Sequence, residues 1–230
     1  MPNFETDIYS PVLNSGQQHL ACTLIGDTSS SMAISIPHLI EALSDFKAAL
    51  NDNPRARSTV DVCLITFDSS ARVAVPFGPV SGFEVPSISA SGTTAMHQAI
   101  DLALREDRAR KDQYAQTGTG HFRSWFFLLT DGYPNDTDNG AFERLLEAQK
   151  AGSVTFYGVG IGESFDKKQI ASLSINNEVI TASRDSFQNA FCWLSSSISK
   201  IMQSTPGDVV RIDSPSSYNG LKLEQMSVIS

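Results

Sequence analysis

Two rhythms of apolar and polar positions alternate along this chain: short unbroken apolar runs, and longer stretches with an apolar residue every three or four positions. "HLACTLIG" (19–26), "STVDVCLITF" (58–67), "SWFFLLT" (124–130) and "SVTFYGVGI" (153–161) are of the first kind. Runs this short predict strands buried on both faces. Ile36, Leu39, Ile40, Leu43, Phe46 and Leu50 are of the second kind and predict an amphipathic helix, with Pro37 early, where a helix tolerates proline. Met96, Ala99, Ile100, Ala103 and Leu104 predict another helix, which runs out into a solvated end, "REDRARKDQ". Further helices are expected over "AFERLLEAQKAG" with Gly152 closing it, over "DKKQIASL", and along Phe187, Phe191, Leu194, Ile198 and Ile201. "ARVAVPF" (71–77) follows the second strand after only "DSS" and predicts an antiparallel hairpin. "EVITA" predicts an edge strand, and "NDNPRA" (51–56) a break.

Strands alternating with helices predict an α/β fold, doubly wound, with a mostly parallel central sheet, one antiparallel edge strand and helices on both faces. The chain has 230 residues, 41% of them hydrophobic, enough for one sizeable core. One domain is expected over residues 18–204, after an N-terminal extension (1–17). From 205 to 230 the composition turns to Pro, Ser, Gly and Asp, which predicts a loosely attached tail.

Charge and cysteine content narrow the function. A net charge of −8 argues against nucleic acid or an anionic membrane as partner. No run approaches the ~18 apolar residues of a membrane span. Cys22, Cys63 and Cys192 are odd in number, widely spaced and without a CxxC pair, which points to free thiols in a reducing compartment. The first residues show neither a basic n-region nor an apolar h-region, so a signal peptide is not expected and a cytoplasmic location is.

The candidate chemistry lies where apolar runs stop. The first ends on "DTSSS", which sets a carboxylate and two hydroxyls at alternate positions, Asp27, Ser29 and Ser31. Alone this is also a good helix cap. However, ligands of such sheets sit at the carboxyl ends of the strands, near the topological switch point. Thr93 and Thr94 open a helix, and Asp131 ends another buried run, so all three segments can converge there. Asp27, Ser29, Ser31, one of the two helix-opening threonines and Asp131 form an oxygen-only set, which suits Mg²⁺ and not the softer metals that prefer thiolate or imidazole. If the carboxylates act mostly through water, the ion stays poorly neutralised and accepts one more anionic oxygen, such as a partner's Asp or Glu.

At these residues the chain resembles a known family. "DTSSS" is similar to the DxSxS of von Willebrand factor A domains, whose metal-ion-dependent adhesion site (MIDAS) has this composition. "SGTTAMHQAI" resembles the family's threonine loop, with Thr94 as the metal threonine and Thr93 on the second glycine, and "LLTDGYPND" resembles its third loop. The resemblance covers roughly residues 18–203. "ITFDSSARV", "ASGTT", "LTDGYPND" and "AFCWLSSSISK" are most similar to the bacterial TerY-type branch, found in tellurium-resistance and stress-response gene clusters beside a kinase-like protein and a phosphatase. The resemblance implies a non-enzymatic module. In it Mg²⁺ or Mn²⁺ is held by Asp27, Ser29, Ser31, Thr94 and Asp131, and an acidic side chain of a protein partner, such as a kinase-like or phosphatase protein of the same cluster, completes the coordination. Two departures bear on the conformation of the first loop: Ser30 replaces the usual glycine, and Gly26 the usual aliphatic residue.

The alternative is a metal-dependent phosphatase or hydrolase on a similar sheet, which needs a nucleophile or base beside the metal. The second carboxylate of a DxD pair is Ser29 here, and no catalytic residue is assigned. An extracellular adhesin is disfavoured by the missing signal sequence. "GVGIGES" (158–164) lacks the glycine spacing of a dinucleotide fingerprint and is expected to end a strand packed close to a helix. His97 is expected in a packing or surface role, and Asp136 as a solvated loop residue in preference to a group supporting the metal ligands. Asp208, Asp213 and Glu224 of the tail are candidate acids for the same metal.

Overall fold

The structure is a computed structural model, which describes residues 17–204 and 210–226. Seven strands, β1 (Leu20–Asp27), β2 (Val60–Phe67), β3 (Ala71–Pro79), β4 (Ser124–Thr130), β5 (Val154–Ile161), β6 (Glu178–Ala182) and β7 (Leu221–Gln225), form one sheet in the order β3-β2-β1-β4-β5-β6-β7. The five inner strands are parallel, and β3 and β7 run antiparallel at the two edges. Six α-helices among the described residues connect them: α1 (Ile36–Asn51), α2 (Pro54–Thr59), α3 (Met96–Thr117), α4 (Ala141–Lys150), α5 (Lys167–Ser172) and α6 (Gln188–Gln203). Helices α1, α2 and α6 pack into the core on one face of the sheet, and α3, α4 and α5 into the core on the other.

Two covered faces explain the unbroken apolar runs. Side chains alternate across a strand, so Trp125, Phe127 and Leu129 of β4 enter one core while Phe126 and Leu128 enter the other. In the first core Phe191 of α6 meets the Phe46 and Phe127 rings edge-on, with centroids 6.2 and 5.2 Å away. On β5, the glycines of "GVGIGES" allow the close packing expected of them. A Cβ on Gly158 would lie 2.5 Å from Ile170, and one on Gly160 2.0 Å from the Phe165 ring.

Three elements differ from the sequence expectation. "NDNPRA" does not merely break the chain: Asn53 caps α2, its side chain accepting from the backbone N–H of Arg55 and Ala56. The charged end of α3 is not simply solvated. Arg110 Nη2 lies 2.8 Å from Asp61 Oδ1, and the Tyr114 hydroxyl donates to Asp61 Oδ2, which also lies 2.8 Å from His19 Nδ1. Burial pushes the Asp61 carboxyl up, but these hydrogen bonds and the Arg110 charge reverse that and hold it below the usual carboxylate range. A charge-rich helix end looks solvated in sequence because nothing local reveals a buried acid at the start of β2.

The third difference is the tail. "EVITA" is not the edge, because β7 pairs along all five of its residues. Ile212, Pro215 and Leu221 are buried, and Trp193 Nε1 donates to the Asp213 carbonyl at 2.8 Å. The described part of the segment expected to be loose is therefore built into the sheet and its core. Residues 1–16 of the expected N-terminal extension lie outside the described residues. No helix among the described residues is long and apolar enough to cross a membrane.

The strand order reverses at β1. From β1 the chain builds outward to β2 and β3, then returns to place β4 on the opposite side of β1. The loops leaving β1 and β4 therefore diverge and open a crevice at their carboxyl ends.

Candidate metal centre

Strand β1 ends on Asp27, which is fully buried. The register pairs Gly26 with Leu129, so Asp27 lies beside Thr130 at the end of β4. Ser29 N–H donates to Asp27 Oδ1 at 2.8 Å and the Thr130 hydroxyl to Oδ2 at 2.5 Å, so both carboxylate oxygens are held. Burial pushes the Asp27 carboxyl up to about 6; hydrogen bonds from Thr130 and Ser29 oppose this, and the nearby Asp131 charge adds to it. The Ser29 and Ser31 hydroxyl oxygens lie 3.1 Å apart, and Ser31 donates to Asp131 Oδ1 at 2.6 Å.

Asp131 Oδ2 is different. It is buried and accepts no hydrogen bond. The nearest cation to it is the Arg184 guanidinium, whose Nη2 lies 3.6 Å away. Thr94 is also buried, and its Oγ1 lies 3.4 Å from where a Cβ on Gly132 would stand. Asn135 N–H donates to the Thr94 carbonyl at 2.8 Å, tying the second loop to the third. Asp27, Ser29, Ser31 and Asp131 are thus joined by hydrogen bonds or by close hydroxyls, with Thr94 set against Gly132 beside them.

The first loop is pinned by backbone contacts that the two departures leave intact. Thr28 donates to the Phe67 carbonyl from both its N–H (2.8 Å) and its hydroxyl (3.0 Å), and its own carbonyl accepts from Ser91 N–H at 2.9 Å. Ser30, where glycine is usual, donates from N–H and hydroxyl to the Gly92 carbonyl at 3.2 and 3.0 Å. Its backbone has no positive φ that would call for glycine. At Gly26 a Cβ would meet Leu39 at 3.7 Å, an ordinary contact. Gly92 does require glycine, since at its φ of 65° a Cβ would stand 2.3 Å from the Ser69 hydroxyl.

Two further residues stand beside the candidate ligands. Asp136, expected to be solvated, accepts from the N–H groups of His97 (3.2 Å) and Gln98 (2.9 Å), and its Oδ1 lies 2.9 Å from His97 Nδ1. It caps α3 from the third loop, because the helix's own N-cap residue, Ala95, has no side chain to do so. That missing local cap was the one sequence signal for it. His97 packs as expected, its ring stacked on Phe142 with centroids 4.1 Å apart. Arg184, on the loop after β6, is the second residue, and no spacing in the sequence points to it. Of the tail acids, Asp213 pairs with Lys200 (2.6 Å) and Glu224 with Lys167 (2.9 Å), so both are committed to local ion pairs; Asp208 lies outside the described residues.

Chemically the arrangement is two buried carboxylates and three hydroxyl side chains. No three His, Cys, Asp or Glu side chains gather as metal ligands among the described residues, so a cation here needs the hydroxyls. An all-oxygen set with a buried, unbonded carboxylate oxygen fits a hard dication.

Comparison with known proteins bears on the same residues. The model of the von Willebrand factor type A domain family matches residues 23–191. Among solved structures, proximal thread matrix protein 1 from the mussel byssus is 19% identical with a TM-score of 0.54, over 80% of this chain and 46% of that one. A second structure of that protein, described as having a zinc-occupied MIDAS motif, is 17% identical with a TM-score of 0.55, over 80% and 46%. A von Willebrand factor type A protein from Catenulispora acidiphila is 16% identical with a TM-score of 0.56, over 80% and 43%. The chain thus spans less than half the length of each of these chains, and the likeness is one of fold. A comparison with curated proteins gave no match.

Proposed function

This chain belongs to the von Willebrand factor type A domain family, and from that premise we propose that it is a metal-dependent protein-interaction module rather than an enzyme. Asp27, Ser29, Ser31, Thr94 and Asp131 hold one divalent cation, Mg²⁺ or Mn²⁺, and an Asp or Glu of a partner protein completes its coordination. The observation that carries this reading is Asp131 Oδ2, buried without a hydrogen bond beside a second buried carboxylate and two hydroxyls. When bound, the cation supplies charge neutralisation and an open position for an anionic oxygen. The zinc-occupied MIDAS motif of the byssus protein supports a divalent cation; hard oxygen donors favour Mg²⁺ or Mn²⁺ here.

The surroundings support a protein partner. Of three exposed large hydrophobic residues among the described ones, two stand on the loops that carry the candidate ligands: Ile34, 70% exposed, follows Ser31, and Tyr133, 52% exposed, follows Asp131. Apolar contacts flanking a central ion suit an acidic side chain set among apolar neighbours. For hydrolase chemistry a base would be wanted, but the nearby imidazole, His97, is occupied with Asp136 and Phe142. The similarity to the TerY-type branch extends the proposal to a bacterial stress-response or tellurium-resistance system, with a kinase-like or phosphatase protein as partner. A cytoplasmic location agrees with three free cysteines, two of them buried.

Calorimetric titration of Mg²⁺ and Mn²⁺ into chelator-treated protein tests the reading. Saturable one-site binding, absent from Asp27→Ala while that variant keeps its fold by circular dichroism, is expected. Equal binding by wild type and Asp27→Ala would refute it.

A further inference from the structure

The candidate ligands account for each other, but not for Arg184. Its loop is locked in place: Ser183 and Ser186 hydroxyls lie 2.8 Å apart, Phe187 N–H donates to the Ser183 carbonyl at 3.1 Å, and Gly162 N–H donates to the Ala182 carbonyl at 2.8 Å. From there the Arg184 side chain crosses the bare face of Gly162, where a Cβ would stand 3.8 Å from its Nε. It ends 3.6 Å from Asp131 Oδ2, too far for a hydrogen bond and close enough for charge. The carboxylate is 1% exposed and the arginine 43%, so the acid is fixed and the cation is free to swing outward. A guanidinium that donates no hydrogen bond among the described residues, at the mouth of a candidate cation site, is also a fork suited to a carboxylate.

We propose that Arg184 is a specificity-determining second anchor, which balances Asp131 while the site is open and turns outward to bind the same partner carboxylate that completes the metal. This rests on the metal-centre reading above. One positive charge then acts in opposite senses on the two ligands. It opposes the cation, because both are drawn to Asp131, and it favours the anion, because metal and guanidinium grip one carboxylate. The partner's acid therefore relieves the competition, and metal and acid bind cooperatively. A neutral or amide-bearing ligand gains nothing from Arg184, so the preference for an acid is built into the protein as well as the ion.

The test is calorimetric titration of Mn²⁺ into the full chain and into Arg184→Gln and Arg184→Lys, with chloride or acetate as the only anion. A unit charge beside Asp131, discounted for solvent screening at a side chain 43% exposed, changes cation affinity about threefold to tenfold. In chloride, Arg184→Gln is expected to bind Mn²⁺ more tightly than wild type by that factor, with Arg184→Lys close to wild type. Acetate is expected to tighten Mn²⁺ binding by wild type more than by Arg184→Gln. Equal or weaker Mn²⁺ binding by Arg184→Gln in chloride, with wild-type binding intact, would overturn the role of Arg184 and leave the metal centre standing. No saturable Mn²⁺ binding by any of the three proteins in either anion would remove the metal centre, and this inference with it.

Discussion

Removing the Asp136 carboxylate should destabilise the whole domain, although the residue sits in a polar surface loop. The Asp136→Ala change deletes the acceptor for two backbone N–H groups at the start of α3 and for the His97 ring. Nothing replaces it, because the local N-cap residue is Ala95. Loss of a cap costs about 0.5–2 kcal/mol, and a carboxylate at a helix N-terminus adds about 0.3–1 kcal/mol. The Asp136 side chain is only 9% exposed, so water makes up little of the loss. A sum of about 1–3 kcal/mol follows, or a melting-temperature drop of about 2–12 °C for a chain of this size. Asp136→Asn should recover much of it, since asparagine caps nearly as well as aspartate. Thermal and urea unfolding of the three proteins measure the difference. Asp136→Ala lying within about 0.5 kcal/mol of wild type would refute the assignment of Asp136 as the cap of α3.

Asp61 should govern the acid limb of stability. Its carboxyl is held low in the folded protein, so its contribution is fully present above about pH 4, the range of an unfolded aspartate, and is lost as pH falls through the lower folded value. Asp61→Asn should be less stable than wild type at pH 7, and the gap should close below about pH 4; a gap independent of pH in urea melts would contradict this. Gly160→Ala forces a Cβ to within 2.0 Å of the Phe165 ring, and a loss of about 1–3 kcal/mol is expected by denaturant titration, against little change for Gly82→Ala, which meets nothing within 4 Å. Truncation after Ser204 strips β7 from β6 and uncovers Trp193 and Ile180. Light scattering should show the shortened chain aggregating, and a monomeric, equally stable product would argue that the tail is dispensable.

Much of the fold and part of the centre are legible in the amino-acid sequence, for local reasons. A strand buried on both faces has to be apolar throughout, so β1, β2, β4 and β5 stand out in the chain, and the helical period marks α1, α4 and α6. Asp27 and Asp131 are legible because a carboxylate that ends such a run must sit at the carboxyl end of a buried strand, and the hydroxyls of Ser29 and Ser31 follow within one loop. β7 is not legible, since an edge strand of "LKLEQ" needs only half an apolar face, and its pairing depends on β6 lying open beside it. Asp136, Arg184 and Arg110 are not legible either. Charged residues in loops and helix ends are solvated by default, and only the meeting of segments 39, 53 and 49 positions apart gives these three their partners in His97, Asp131 and Asp61. Sequence therefore determined which atoms stand at the ends of the strands. Tertiary structure alone decided which distant charges face them, because electrostatic partners are chosen by proximity in space, and spacing along the chain carries no record of it.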